Sequence, residues 1–397
     1  MKQKRIYLDH AATTPVDPRV LRAMLPYFSE DFGNPGSIHK EGVAAKKAVE
    51  ASRARIAAIM RALPDEIIFT SGGTEANNMA IRGFAMNLLR VGCAPKERHY
   101  ITSAIEHPSV LDCFKALEEE GAAVSYAPVT KEGIIDLRAF ERLLRPETVL
   151  VSIMYANNEI GTVQPVHEIS KLLARKRKMH FFSILDTRYS IPFLHTDASQ
   201  APLYLSLDVK KLGVDMLTLD AQKIYGPKGV GLLYARKGTP LEPLFCGGKQ
   251  ERGLRPGTEN VPGIIGLAEA LVIAAAERAR ESARLAKLRD YGIAKIIAAC
   301  PEAALNGSAT ERLPNNINIS FPGHDSEWLV LSLDAKGIAV GARSACTSDD
   351  AAGSHVITAL GKGKEFSTSS IRITLGRWTT RKDIDALADA LQKITGA

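Results

Sequence analysis

The chain has 397 residues, of which 45% are hydrophobic and 24% are charged, and its formal net charge is +7. This length favours two domains with a large core, and this composition is that of an ordinary globular protein. The longest apolar stretch, residues 264–276, is too short to span a bilayer and contains Glu269. The first residues lack the apolar region of a signal peptide, so we expect no membrane partner.

The five cysteines, at positions 93, 113, 246, 300 and 346, are scattered and form no C-x-x-C pair. This pattern argues against a disulfide framework and a zinc site, so we expect no metal site and a cytoplasmic location. The net charge permits an acidic or nucleic-acid partner without requiring one. The basic run at 175–178 is not part of an aromatic-interleaved motif, so direct binding of nucleic acid is not expected.

The first predicted elements are two helices and a short strand. Asp17-Pro18 is an N-cap followed by proline, which predicts a helix start, and Ser37 is expected to cap a long helix that reaches about Leu63. A buried strand at 66–70 then runs into a turn at 71–74 that opens a helix. Free backbone N–H groups at such a turn attract an anion, although a plain strand–helix turn explains it equally well. The turn is neither a dinucleotide fingerprint nor a P-loop.

Strands and helices alternate after this turn. Strands are predicted at 99–103, 122–127 and 148–154, and helices at 108–120 and 136–144. Repeated units of this length predict an α/β fold with a mostly parallel sheet that helices cover on both faces. Ligands of such sheets bind at the carboxyl ends of the strands. The polar residues that fall there are Thr74, His107, Asn158, Asp197 and Gln200.

Lys223 lies between an apolar run that ends at Leu219 and a Gly-Pro-Lys-Gly turn, and a second strand-like run follows at 230–234. Desolvation at such a junction lowers the pKa of a lysine and yields a neutral amine that can form a Schiff base. The alternative is a surface lysine in a hairpin loop. Asp197 ends a buried strand and needs a partner, for which a protonated pyridine nitrogen is suitable. His107 is either structural or lies over a ring-shaped cofactor as a plate or proton carrier.

A long helix predicted at 267–299 marks the passage to a second, smaller domain. We assign residues 15–264 to the large domain, and residues 1–14 and 265–397 to a small α+β domain. Cys346 lies in a run of small and polar residues that predicts an exposed, flexible loop. A reactive thiolate needs this accessibility, whereas the settings of the other four cysteines favour structural roles.

The order of these features resembles the pyridoxal-phosphate (PLP) enzymes of fold type I in the class V aminotransferase family, and within it the cysteine desulfurases of the NifS/IscS type. The resemblance covers nearly the whole chain, and it depends on the number and order of the matching strings. These strings lie at 7–9, 12–15, 33–35, 70–75, 157–161, 223–229, 255–258, 344–348 and 369–372.

The resemblance implies a role for each candidate residue. Gly73, Thr74 and Gln222 would hold the cofactor phosphate, and Thr258 would reach it from the other subunit of a homodimer. His107 would stack on the cofactor ring, Asp197 would pair with its nitrogen, Gln200 would approach its phenolic oxygen, and Lys223 would form the Schiff base. Asn158 would contact the cofactor and, with Asn34 and Arg372, hold the substrate carboxylate.

The same resemblance implies a reaction and its partners. Cys346 would take sulfur from L-cysteine and leave L-alanine, while Lys223 and His107 move protons. The persulfide would pass to an acceptor protein, either an iron–sulfur scaffold or a tRNA-thiolation enzyme. Two alternatives stay open: a selenocysteine lyase or other class V lyase, and a catalytically impaired homologue that serves as a binding platform.

Three segments depart from the family pattern. Asp220-Ala221-Gln222 stands where the family usually has Ser-Gly-His, the segment 174–196 is longer than usual, and 246–251 replaces a more glycine-rich run. An aspartate that faces a phosphate would weaken its binding unless the side chain turns away. Gln222 can still donate a hydrogen bond.

Overall fold

The computed structural model describes residues 5–179, 192–342 and 353–396. Cys346 and most of the long 174–196 segment lie outside these residues, so what the sequence predicts for them stays a prediction. Within the three described ranges, none of the helices combines the length and apolarity that crossing a membrane requires.

The described residues form a seven-stranded sheet and two smaller sheets. The strands are β1 Ile6–Tyr7, β2 Ile67–Thr70, β3 His99–Ser103, β4 Ala123–Ala127, β5 Thr148–Ser152, β6 Phe193–Asp197, β7 Met216–Asp220, β8 Gly231–Ala235, β9 Ala304–Leu305, β10 Asn316–Ser320, β11 Ile338–Ala339 and β12 Ser370–Thr374. The large sheet has the order β2-β8-β7-β6-β5-β3-β4. Strands β3 to β7 are parallel and β8 is antiparallel to both of its neighbours, which confirms the predicted mostly parallel sheet.

Helices connect these strands and cover the sheet. They are α1 Pro18–Met24, α2 Pro26–Ser29, α3 Lys40–Met60, α4 Gly73–Asn78, α5 Phe84–Arg90, α6 Pro108–Glu119, α7 Leu137–Leu143, α8 Val166–Lys178, α9 Val209–Leu212, α10 Val261–Ala299, α11 Ser326–Ala335, α12 His355–Ala359, α13 Lys364–Ser367 and α14 Arg381–Thr395. A π turn at Met79–Gly83 joins α4 to α5.

Successive side chains of the large sheet point to opposite faces, and both faces are buried. On β2, Ile67 and Phe69 pack in the same core as Ile56 of α3, whereas Ile68 packs in the opposite core with Phe84 of α5. Each large apolar side chain that is fully buried in this way contributes about 1.5–3 kcal/mol relative to an exposed one. Burial on both faces explains why the residues of β2 that face opposite sides, Ile67, Ile68 and Phe69, are all apolar.

The two smaller sheets surround a third core. Strands β9, β10 and β12 form an antiparallel sheet, and β1 pairs with β11 in parallel. Their core contains Leu8, Ile317 and Ile373. Helix α10 contributes side chains to the large-sheet core as far as Ile273 and to the third core from Leu285 onward. The domain boundaries at 14/15 and 264/265 stay a prediction.

Two predicted helix starts are wrong. Helix α3 is capped by His39 and not by Ser37, because Nδ1 of His39 accepts the backbone N–H of Gly42 at 3.3 Å. Helix α10 begins at Val261, six residues before the predicted start, because Asn260 caps it through the N–H of Gly263 at 3.1 Å. A proline in the first turn is compatible with this start.

Candidate active site

Most of the predicted site residues meet at the carboxyl edge of the large sheet, around one cavity of about 280 Å³. This volume is near the lower limit of the usual range for small-molecule pockets, which starts at roughly 300 Å³, so the cavity suits a small ligand. The predicted residues in its lining are Gly73, Thr74, His107, Asn158, Asp197, Gln200, Gln222, Lys223 and Arg372. They follow the ends of β2, β3, β5, β6 and β7, except Arg372, which lies within β12.

Three predicted residues are not part of this lining. Asn34 and Thr258 are exposed, and Oδ1 of Asn34 accepts the backbone N–H of Gly36 at 2.9 Å. Cys346 lies outside the described residues. The described chain therefore brings together the residues predicted to hold the cofactor ring and the substrate carboxylate, and it leaves Asn34 and Thr258 at its surface.

Lys223 ends the short 3₁₀ turn Ala221–Lys223 that follows β7. Its Nζ donates to the carbonyl oxygens of Ala11 and Ala12, at 2.9 and 2.6 Å. Burial lowers the pKa of this amine, as the sequence predicts, and Asp220 is the charged neighbour that most strongly raises that pKa. The side chain thus lies inside the cavity, and the alternative of a surface lysine in a hairpin loop is wrong.

A strained residue fixes the backbone that follows Lys223. Tyr225 has a φ of 63°, in the left-handed region that side chains with a Cβ rarely adopt. Its N–H donates to Oγ1 of Thr14 at 2.7 Å, and its hydroxyl accepts the N–H of Arg377 at 2.8 Å. Such strain persists only when the surrounding contacts impose it, so the amine is held on a rigid support.

Asp197 and His107 are joined by a chain of hydrogen bonds. Nδ2 of Asn77 donates to Oδ2 of Asp197 at 2.8 Å and to Oγ of Ser109 at 2.9 Å. Oγ of Ser109 lies 2.8 Å from Nδ1 of His107, which also accepts the backbone N–H of Ser109 at 3.1 Å. Because Nδ1 accepts, the proton of a neutral imidazole is on Nε2.

The charges of these two residues differ. Burial lowers the pKa of His107, while the nearby carboxylate of Asp197 works in the opposite direction, so the ring is neutral near pH 7. Asp197 is 9% exposed and faces the cavity. Its Oδ1 accepts the N–H of Ser199 at 2.9 Å, which together with Asn77 holds the carboxylate in one orientation.

Arg372 is the buried cation of the cavity, with 2% of its surface exposed. Its Nη2 donates to Oδ1 of Asp9 at 2.9 Å and its Nη1 donates to the carbonyl of Asn158 at 3.2 Å. Its Nε is buried and has no hydrogen-bond partner among the described residues. A buried donor without a partner is unfavourable, and a substrate carboxylate would satisfy it.

The predicted anion turn lines the same cavity. A Cβ placed on Gly73 would lie 3.2 Å from Oγ of Ser199 and 3.4 Å from Asp220, so glycine allows this turn to approach the strand ends closely. Asp220 does not turn away from the cavity. Its Oδ2 accepts the N–H of Gly73 at 3.3 Å and Nε2 of Gln222 at 3.2 Å.

The family described as "Aminotransferase class-V" matches residues 6–387 of the chain. The chain belongs to the class V aminotransferase family. It is 45% identical over 392 residues to a cysteine desulfurase IscS of Dictyoglomus turgidum, a match that covers 99% of this chain and 95% of the relative. It is 43% identical over 385 residues to the cysteine desulfurase IscS 1 of Archaeoglobus fulgidus, with 97% and 95% covered.

Two solved structures are similar over most of the chain. A NifS-like protein matches with a TM-score of 0.89 at 35% identity and covers 99% of this chain and 100% of its own. A structure of SspA in complex with cysteine matches with a TM-score of 0.78 at 34% identity and covers 95% and 100%. These similarities confirm the predicted family and the fold of type I.

Members of this class V group are PLP enzymes, and the described residues fit that cofactor. The cavity offers an amine of lowered pKa on Lys223, a buried carboxylate on Asp197 for a protonated ring nitrogen, and an imidazole on His107. Arg372, whose guanidinium suits a carboxylate, lines the same cavity. The protein is therefore a PLP enzyme, as the sequence predicts, and the role of each side chain stays a proposal.

Sequence reasoning missed several residues of the site. Asn77 lies one helical turn after Thr74, so the opening helix already indicated that both share a face. Ser109 follows His107 at the start of α6, where a side chain commonly caps the helix. Asp9 pairs with Arg372 across 363 positions of the sequence, and no local signal could have indicated this contact.

Proposed function

We propose that this protein is a PLP-dependent cysteine desulfurase, in which Lys223, Asp197 and Arg372 act on one L-cysteine molecule. The observation that supports this best is their convergence on one cavity from elements far apart in the sequence. The cofactor would supply an electron sink for the carbanion that forms when a proton leaves the substrate Cα. The names of the relatives support the same substrate.

The residues of the cavity would divide the remaining tasks. Lys223 would be the amine to which the cofactor is attached, and once released it would move the Cα proton, since its pKa is lowered by burial. Asp197, oriented by Asn77, would keep the ring nitrogen protonated. Arg372 would fix the substrate carboxylate through its guanidinium, and Nε2 of His107 would be the second site for a proton.

Cys346 would accept the sulfur. Its thiolate would attack the sulfur of the substrate, so that an S–S bond forms while the substrate C–S bond breaks. The electron pair of that bond, with a proton, would end in the methyl group of alanine, and the sulfur would remain on Cys346 as a persulfide. Cys93, Cys113 and Cys300 are buried, and burial raises the pKa of Cys113 to about 12, so these thiols are poor candidates.

The test is an assay of the purified protein with L-cysteine and a reductant, in which alanine and sulfide are both measured. We expect equal amounts of both from the wild type and no sulfide from Cys346→Ser, which should retain bound PLP. Cys246→Ser is the matched control, because Cys246 is an exposed free thiol outside the cavity lining. Full sulfide release by Cys346→Ser would remove Cys346 from this role, and turnover of selenocysteine alone would make the protein a selenocysteine lyase.

The protein would act as a homodimer in the cytoplasm and deliver sulfur to an iron–sulfur scaffold or a tRNA-thiolation enzyme. An exposed apolar surface supports the dimer. Its members are Leu25, Phe28, Phe32 and Ile38, between 53% and 97% exposed. If these side chains form one patch, it would be of the kind found at interfaces between subunits. Thr258 is also exposed, as a residue that serves a second subunit would be.

Light scattering after size exclusion tests the dimer. Phe32→Asp should shift the protein toward monomer, because a charge is placed in the interface. Leu331→Asp is the matched control, since Phe32 and Leu331 are both 69% exposed and Leu331 lies on α11 of the third core. A dimer that is unaffected by Phe32→Asp would contradict this interface.

A further inference from the structure

Asp220 occupies hydrogen-bond donors that would otherwise be available to an anion. Its Oδ2 accepts the backbone N–H of Gly73 at 3.3 Å and Nε2 of Gln222 at 3.2 Å, while its Oδ1 accepts the N–H of Gln222 at 3.2 Å. A second carboxylate does the same at the start of the turn, where Glu75 accepts the N–H of Ser71 at 2.7 Å. Two backbone donors of the predicted anion turn are therefore bound to carboxylates of the chain itself.

The two carboxylates differ in their charge balance. Glu75 forms an ion pair with Arg255 at 2.9 Å. Asp220 has no ion pair with a lysine or arginine within the described part of the chain, and it is only 8% exposed. Its charge acts most directly on Lys223, whose pKa it raises more than any other charged neighbour does. The carboxylate beside Gly73 therefore has no ion-pair partner among the described residues.

We propose that Asp220 opposes the phosphate of the cofactor, so that PLP binds weakly to this protein and exchanges with free PLP. The inference rests on the proposed function, because it concerns the same cavity. A phosphate carries between one and two negative charges near pH 7, and like charges in one partly desolvated site disfavour each other. The phosphate must also replace the carboxylate at the N–H of Gly73 or leave that donor to Asp220.

A comparison of ligands with and without the phosphate distinguishes this proposal from other roles of Asp220. Pyridoxal has the same ring and carbonyl as PLP but carries no phosphate. If Asp220 acts on the phosphate, replacing the Asp220 carboxylate changes the dissociation constant of PLP and leaves the dissociation constant of pyridoxal unchanged. If Asp220 acts through Lys223 or by supporting the turn Ala221–Lys223, both constants change together.

The experiment measures both dissociation constants on the full-length apoprotein by equilibrium dialysis. Asp220→Asn retains the shape of the side chain and an oxygen that can accept the N–H of Gln222. Asp220→Ser is a second variant if Asp220→Asn is unstable. We expect either variant to bind PLP about tenfold more tightly or better, equivalent to about 1.4 kcal/mol, with pyridoxal binding within about twofold of the wild type. PLP should also dissociate more slowly from the variants.

The matched control is Asp208→Asn. Asp208 is 6% exposed and caps the short helix α9 through the N–H of Lys211 at 3.0 Å, as Asp220 caps the turn before Lys223, but it lies outside the cavity lining. Its two constants should equal those of the wild type.

An unchanged ratio of the PLP and pyridoxal constants in both Asp220 variants, with the wild type binding PLP, would overturn this inference alone. A failure of the wild type and of both variants to bind PLP would overturn the proposed function and this inference with it. The two failures are therefore distinguishable from one set of measurements.

Discussion

Two parts of the cavity lining, named the first end and the second end, differ in how their charges match a ligand. The first end contains Lys223, Asp197 and Arg372, and each of these side chains would attract a group of the cofactor or the substrate. At the second end, which contains Gly73 and Asp220, a carboxylate already accepts the backbone N–H that a phosphate would use. The topology of the sheet determines which sequence positions meet in the cavity. The residue type at each of these positions determines the charge there, independently of the topology.

Lys223→Ala tests whether the two ends act independently. Because covalent attachment and proton transfer are both lost, activity should fall at least about ten-thousandfold. The variant should still bind PLP without a covalent bond, through Gly73, Thr74 and Asp197. The measurements are sulfide release, and borohydride reduction followed by mass spectrometry of the peptide that contains position 223.

Lys228→Ala is the control, because Lys228 is an exposed lysine five positions further along the same turn. It should retain both the reducible attachment and the activity. If borohydride fixes PLP to another lysine of the Lys223→Ala protein, Lys223 would lose the proposed role, and the first end would not be the place where the cofactor is attached.

Arg372→Lys examines the substrate side of the first end. Lysine retains the charge but lacks the planar fork that contacts Asp9, Asn158 and a carboxylate together. We expect kcat/KM for L-cysteine to fall about 10- to 100-fold, the range for loss of a hydrogen bond to a charged group, while the dissociation constant of PLP is unchanged.

Arg289→Lys is a matched control, since Arg289 is another buried arginine that donates to backbone carbonyls, of Arg312 and Leu313, outside the cavity. A loss in kcat/KM shared by both variants would mean that the effect comes from the packing of the small domain and not from the substrate.

The arrangement of strands and the residues at their ends could be predicted from the sequence because the signals are local. Short strand-like runs precede the turns after β3, β5 and β6, and the polar residues that follow them had to gather at one edge of a parallel sheet. The pKa of Lys223 is lowered, as its position between two buried strands predicts. These inferences needed only the order of residues along the chain.

Contacts between distant residues could not be predicted in this way. The pair of Arg372 with Asp9 depends on the packing of β12 beside the first residues of the chain. The orientation of Asp220 toward Gly73 depends on how closely β7 approaches the turn after β2. The sequence allowed Asp220 to face the cavity or to turn away, and packing places its carboxylate against the N–H of Gly73.

Thr258→Ala addresses the second end, where the partner subunit is expected to contribute. Loss of one hydrogen bond to a charged phosphate should weaken the binding of PLP about tenfold. Pyridoxal binding should not change, since the missing contact is to the phosphate. The dissociation constants of both ligands are measured as for the Asp220 variants.

Thr258→Ser is the conservative control and should retain wild-type affinity through its hydroxyl. The monomeric Phe32→Asp protein should show the same loss of PLP affinity as Thr258→Ala, because it lacks the partner's threonine. PLP affinity that is equal in Thr258→Ala and in the wild type would mean that the second end is complete within one subunit.

Glu106→Gln sharpens the comparison, because Glu106 is a buried carboxyl beside the first end. It is fully buried, and its Oε1 accepts from Oγ of Ser103 at 2.6 Å and from the N–H of Met154 at 2.9 Å. Its Oε2 has no partner among the described residues. Burial raises its pKa from 4.5 to about 8, so it is neutral near pH 7.

The sign of the effect on stability follows from proton binding. Between pH 4.5 and about 8 the folded protein binds a proton at Glu106 that the unfolded chain has lost. Stability from this residue is therefore present at low pH and decreases as the pH rises to about 8, by on the order of 1 kcal/mol per pH unit. Glutamine is neutral at every pH, so Glu106→Gln should lose less stability than the wild type between pH 5.5 and pH 8.

Urea unfolding of the holoenzyme at several pH values measures this difference, with Glu119→Gln, an exposed residue at the end of α6, as the control. Parallel pH profiles of the wild type and Glu106→Gln would mean that Glu106 ionises like a surface carboxyl, and both ends of the cavity would then contain a carboxylate without an ion-pair partner among the described residues.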